Sequence, residues 1–174
     1  MVKSGKKWDL FYNFGIDKTI KLNTLIGTYE CKADSKGRLM LPVALKKQLA
    51  EVLHDGFVLK RAVFNACLEL YPLKQWEALM EKVNKLNRFN KKNNDFIRRF
   101  TAGVRLVEID ASGRLLVQKD LVQHAGISRE IVISSAVNIL EVWDKKRYED
   151  AISEATVDFG ALAEEVMGDK DDED

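Results

Sequence analysis

With 174 residues, 46% of them hydrophobic and 32% charged, the chain suits one moderate domain or two small ones sharing a core, and its composition excludes a disordered or fibrous protein. No apolar run approaches the roughly 18–20 residues of a membrane span, and the basic start, Met1 to Leu10, lacks the apolar stretch of a secretion signal. The net charge of +1 conceals an asymmetry: residues 149–174 hold eleven acids and one lysine, −10, so the remaining 27 basic and 16 acidic residues leave +11 on residues 1–148.

A basic body suits a polyanionic partner. The two cysteines, Cys31 and Cys67, fall inside strand-like runs, as small core residues of a reducing cytoplasm do. Residues 1–26 show no clear period. Trp8, Phe11, Tyr12 and Phe14 alternate loosely with Lys and Asn, which predicts a docking arm rather than a domain.

Residues 27–81 read as a first unit. Thr28 to Ala33 alternates polar and apolar residues, the period of a half-buried strand. Asp34-Ser35-Lys36-Gly37 is a tight turn, because Asp bonds the backbone ahead of it and Gly takes a positive φ without steric cost. Arg38 to Leu41 is a short second strand. Pro42 opens a helix over Val43 to Leu53, with Leu45, Leu49 and Val52 on one side and Lys46, Lys47 and Gln48 on the other. Phe57 to Arg61 and Cys67 to Tyr71 are two more strands, and Pro72 starts a helix carrying Trp76, Leu79, Met80 and Val83.

Residues 82–103 form a basic connector. From Lys82 to Arg105 there are eight basic residues against one acid, Asp95. Asn90 to Asn94 reads as a loop and Asp95 to Gly103 as a short amphipathic helix. Residues 104–152 then restart the same order: a strand from Val104 to Ile109, a turn from Asp110 to Gly113 and a strand from Arg114 to Val117. The helix Lys119 to Ala125 is stopped by Gly126. Strands at Ile131 to Ile133 and Ile139 to Trp143 precede a final helix capped by Asp144. Residues 153–174 read as an acidic tail, whose last seven residues cannot bury apolar surface.

The restart is a repeat. Asp34-x-x-Gly37-Arg38 recurs as Asp110-x-x-Gly113-Arg114, 76 positions on, each followed by apolar residues. Farther along, Asn65 to Tyr71 matches Asn138 to Trp143 with a one-residue gap, and Trp76-Glu77 matches Tyr148-Glu149 at a separation of 72. Matching elements in matching order over about 50 residues each indicate duplication.

Architecturally, Asp34 with Arg38 and Asp110 with Arg114 clasp the two sides of a bend that Gly37 and Gly113 permit. Functionally, arginine at an exposed turn tip is the side chain best suited to phosphate and to guanine edges. Lys36 shares the tip, and Lys46 and Lys47 lie on the helix face behind it, so several cations converge on one hairpin. A solvated lysine face is the plainer reading of that pair. Catalysis finds no support: His54 and His124 lack motif partners, and Gly-x-Ser-x-Gly, a P-loop and Gly-x-Gly-x-x-Gly are absent. Cysteine and histidine lack structural zinc spacing. No metal, cofactor or small-molecule substrate is implied.

Gly27 to Pro42, with the second Asp-Ala-Ser-Gly-Arg, resembles the MraZ family of bacterial transcriptional regulators over roughly residues 25–152. Each half is similar to the AbrB type of swapped-hairpin DNA-binding domain. The resemblance implies an α+β fold in which two halves interlock into a swapped-hairpin β-barrel with flanking helices. It further implies a homo-oligomeric ring in the cytoplasm, at the nucleoid. Its partner would be double-stranded DNA, as short direct repeats upstream of the protein's own cell-division and cell-wall gene cluster, usually for repression. Carried over, the DNA-contacting residues are Arg38 and Arg114 with Lys46 and Lys47, accompanied by Lys32 and Lys36. Val122 and Gln123 hold the second half's helix positions, so the first half is expected to contribute more to DNA. The rival class is a ring-forming assembly or adaptor protein whose basic connector binds an acidic protein or RNA. An antitoxin-like partner is a third possibility.

Overall fold

The computed structural model describes residues 24–154 and 157–168. The predicted arm lies outside the described residues as far as residue 23. Leu25 at its end is buried and donates its N–H to the Val137 carbonyl at 2.7 Å.

Alternation drives β1 (Thr28–Lys32), and the Asp34 turn returns the chain into β2 (Arg38–Met40). Helix α1 (Val43–Gln48) is shorter than the sequence predicts. Beyond it the amides of Val52 and Asp55 bond back only three residues, to the Leu49 and Val52 carbonyls, so the chain tightens into successive turns. Strands β3 (Phe57–Arg61) and β4 (Leu68–Pro72) and helix α2 (Leu73–Asn84) complete the first unit.

In the connector, α3 (Lys91–Phe100) begins four residues before the predicted helix. The Asn90 side chain accepts from the amides of Lys92 and Asn93 at 2.9 and 3.3 Å. A run of asparagines that reads as loop therefore holds a helix cap. The second unit follows as β5 (Arg105–Val107), β6 (Arg114–Leu116), α4 (Lys119–Ala125), β7 (Glu130–Ala136), β8 (Ile139–Asp144) and α5 (Lys145–Ile152). Asp144 caps α5 as predicted, accepting from the Arg147 amide at 3.3 Å. Within the predicted tail lies a further helix, α6 (Phe159–Met167), capped by Asp158.

The strands form a six-stranded antiparallel sheet in the order β1-β7-β8-β4-β3-β5 and a two-stranded sheet of β2 with β6. Exchanging each strand for its counterpart in the other half (β1 with β5, β3 with β7, β4 with β8) reverses the six-stranded order onto itself. Each half's first strand thus pairs in the other half's territory. Tyr29 faces Ile133, and Arg105, 76 positions after Tyr29, faces Leu59. Strands β1 and β5 are the two edges of the sheet, so the fold is α+β with antiparallel sheets and the described strands form no closed barrel.

One core runs through both halves. Leu39, Leu41, Leu45 and Leu49 are at most 1% exposed, as are their counterparts 76 positions on, Leu115, Val117, Leu121 and Ala125. Each such leucine contributes about 1.5–3 kcal/mol relative to exposure. Since these side chains meet across the halves, neither set has a place to bury without the other. Of the cysteines, Cys67 is buried and Cys31 half-buried, both as free thiols. Burial, then the carboxylates of Glu141 and Glu69, pushes the Cys67 thiol up to about 12.

Candidate nucleic-acid interface

The β2–β6 ribbon sorts its side chains by pleat. Leu39 opposes Leu115 on the inner face, both fully buried. On the outer face Arg38 lies opposite Leu116, and Met40 lies opposite Arg114. Two arginines thus sit on one diagonal of a small sheet, with Met40 and Leu116 filling the other, 48% and 50% exposed.

Both turns share one backbone pattern. Asp34 Oδ1 accepts from the amides of Lys36 and Arg38, each at 2.9 Å. Asp110 Oδ1 accepts from Ser112 at 2.8 Å and Arg114 at 2.9 Å. Gly37 and Gly113 both adopt φ +79°, a conformation that admits glycine readily. Aspartate is thus the folding element of the motif.

The side chains differ. Arg38 Nε donates to Asp34 Oδ2 at 2.6 Å. This contact leaves both terminal nitrogens of the guanidinium to meet another acceptor and fixes its plane. The Arg38 amide, the Arg38 side chain and the Lys36 amide together hold the Asp34 carboxyl below the usual carboxylate range, against desolvation. In the second turn only the backbone half of the clasp is present. Among the described residues, the Arg114 guanidinium meets no carboxylate.

The hairpins exchange places around the helices. Gly37 accepts from the Val117 amide at 2.9 Å, and Gly113 accepts from the Leu41 amide at 2.9 Å. A methyl on Gly113 would meet Lys46 Cδ and Nζ at 2.7 Å, whereas one on Gly37 would meet the Val117 carbonyl oxygen at 2.5 Å and Val122 Cγ2 at 3.4 Å. The sequence places Lys46 and Lys47 behind the first hairpin. In the structure Lys46 reaches over the second turn, and Val122 covers the first. Lys46 therefore supplies a cation beside Arg114, whereas the second half's helix holds Val122 and Gln123 at the positions equivalent to Lys46 and Lys47. Lys47 is exposed beside it, at the carboxyl end of α1.

A groove of about 800 Å³ borders the first turn, with Lys32, Arg38, Arg114 and Arg129 in its lining and Asp34 as the one carboxylate. Lys32 stands 4.0 Å from Glu130, and Lys36 is exposed at the tip. Arg129 escapes sequence reasoning because it lies outside the repeated motif. It arrives through the β1–β7 pairing, where the Ala33 amide donates to the Arg129 carbonyl at 2.9 Å. The surface therefore gathers cations from three segments far apart in the chain, with apolar contact area between them. Such a surface suits phosphates and base edges. Among the described residues no helix is long and apolar enough to cross a membrane.

Comparison with known proteins agrees with this duplication. The family described as "MraZ protein, putative antitoxin-like" matches twice, over residues 24–99 and 100–170. The chain is 65% identical over 152 residues to the transcriptional regulator MraZ of Flavobacterium psychrophilum, covering 87% of this chain and 97% of that protein. Its identity to the protein of the same name from Christiangramia forsetii is 66% over 147 residues, 84% and 95% of the two chains. With that of Bacteroides thetaiotaomicron it is 35% over 150 residues, 86% and 96%.

Proposed function

Because the chain belongs to the MraZ family, we propose that it is a DNA-binding transcriptional regulator that sets the β2–β6 ribbon against duplex DNA. In this reading Arg38 and Arg114 read base edges or phosphates, and Lys32, Lys36, Lys46 and Lys47 contact the backbone. The observation that carries it is the pairing of the two repeated arginines on one outward face, ringed by cations. Relatives named as transcriptional regulators support the same reading.

The finer proposal is a ring of copies bound to short direct repeats upstream of the protein's own cell-division and cell-wall gene cluster, repressing it in the cytoplasm at the nucleoid. A ring multiplies a weak hairpin contact when several copies engage one DNA segment. The self-reversing strand order supports the swapped-hairpin reading of the two halves; the bridges Ala33 to Leu39 and Ile109 to Leu115 close each hairpin, and β2 with β6 joins the two.

DNase footprinting on the native upstream region, with a scrambled control, tests this reading. Arg38→Ala or Arg114→Ala should cost about 1–3 kcal/mol per engaged subunit if the arginine reads a base. Unchanged promoter affinity in folded Arg38→Ala and Arg114→Ala proteins would remove the ribbon from the mechanism. Equal protection of scrambled DNA would favour a non-specific polyanion binder instead.

A further inference from the structure

A second cavity, of about 950 Å³, opens between α3 and the end of β3, away from the ribbon. Arg61, Lys91, Lys92 and Arg99 contribute to its wall, against the single carboxylate of Asp95. That carboxylate is already engaged, with Arg98 at 3.1 Å and Lys91 at 3.5 Å. Buried Lys60, also in the lining, is neutralised by Glu69 at 2.8 Å. Aromatic surface lies among the cations. Phe96 and Phe100 stack with centroids 5.3 Å apart, and Phe96 is 44% exposed. Val63, on the turn after β3, is 53% exposed at the rim.

Helix α6 has the complementary character. None of its residues is buried, and all but Ala163 are exposed. Phe159, Leu162 and Val166 recur at i, i+3 and i+7, so they share one apolar stripe, 77%, 42% and 61% exposed. At 100° per residue, Glu165 and the capping Asp158 flank that stripe on one side, and Glu164 falls on the opposite face of the helix. From Asp158 to Gly168 the chain has three acids and no base. Every copy of the chain carries both this acidic, apolar helix and the basic, aromatic cavity.

We propose that α6 of one copy docks in the α3 cavity of a second copy. Its apolar stripe lies on Phe96 and Val63, and the acidic flank of that stripe, Glu165 with Asp158, faces Lys91, Lys92 and Arg99. The contact joins two different surfaces, so repeating it builds a ring or a filament rather than a closed dimer. The inference rests on the multi-copy reading above and names the surfaces that hold the copies together.

The test uses three full-length variants: Glu165→Lys, Lys91→Glu/Lys92→Glu, and the combination of all three. Sedimentation velocity at moderate salt reads the assembly, and circular dichroism checks the fold. Each of the first two variants alone should shift to smaller species, with its dissociation midpoint raised about tenfold or more, given the charge pairing lost and made repulsive at each contact. A 1:1 mixture of the two should recover large species, because one junction is then wild type and the next is charge-reversed on both sides. The combined variant should assemble by itself. A monomeric wild type would overturn the multi-copy reading. A wild type that assembles, with the first two variants assembling equally well, would overturn the docking alone. Recovery in the combined variant but not in the mixture would place α6 in the cavity of its own chain and overturn the second-copy occupant. Dissociation without recovery in either case would likewise overturn it.

Discussion

The two turn glycines offer a controlled comparison, since they share a φ of +79° and a hydrogen-bond pattern but not their neighbours. Alanine at either position carries the same left-handed strain, about 1–2 kcal/mol. The added methyl meets different obstacles. At Gly37 it falls 2.5 Å from the backbone oxygen of Val117, a residue 1% exposed whose amide donates to Gly37 at 2.9 Å. That segment cannot retreat without loosening the bond between the hairpins, and forced repacking of this kind costs about 1–3 kcal/mol more. At Gly113 the obstacle is the far end of Lys46, at 2.7 Å, which can swing away by rotating its side chain. Gly37→Ala should therefore lose about 2–5 kcal/mol and Gly113→Ala about 1–2. Urea denaturation followed by far-ultraviolet circular dichroism, at one protein concentration, measures both. Coincident midpoints, or a less stable Gly113→Ala protein, would refute the exchanged placement of turns and helices.

Three further outcomes follow from particular contacts. Lys60 is fully buried against Glu69 at 2.8 Å, with its ammonium 4.5 Å from the Phe100 ring centroid. Lys60→Met should destabilise the protein by about 3–5 kcal/mol by stranding a partly buried carboxylate, and adding Glu69→Leu should recover much of the loss in denaturation experiments. Burial, with Arg61 and Arg147 nearby, holds His124 below its ordinary value of 6.5. The stability it contributes is present above that ordinary value and is lost as pH falls through the depressed one. The unfolding midpoint of His124→Gln should thus decline less than wild type between pH 7 and pH 5. Lys46→Ala should weaken DNA binding about equally across sequences and reduce the salt slope of log affinity by about 1, measured by fluorescence anisotropy across a salt series. An unchanged slope would show that Lys46 serves the turn and not the phosphates.

Much of the architecture was legible because both halves repeat their local chemistry. Aspartate and glycine specify the turns, alternation specifies β1, and Pro42 and Pro72 mark the starts of α1 and α2. These are short-range preferences that survive in any tertiary setting. The exchange of hairpins is long-range. Nothing near Lys46 in sequence indicates that it will lie over Gly113, and nothing near Lys32 points to Arg129 as a neighbour on the groove wall. The Asn90 cap was obscured because asparagine favours loops and helix starts for one reason, its side chain's bond to nearby amides. Acid-rich composition masked α6, whose Phe159, Leu162 and Val166 spacing is nonetheless helical.

The pairing of β2 with β6 has a consequence for how the protein can lie along a duplex. A body made from two identical chains would present the same edge when turned end for end. Here one end of the ribbon carries Lys36 with Val122 behind it, and the other carries Ser112 with Lys46. The ribbon therefore has a head and a tail, and under the proposed function a molecule bound by it acquires a direction, which would match sites repeated in tandem rather than inverted.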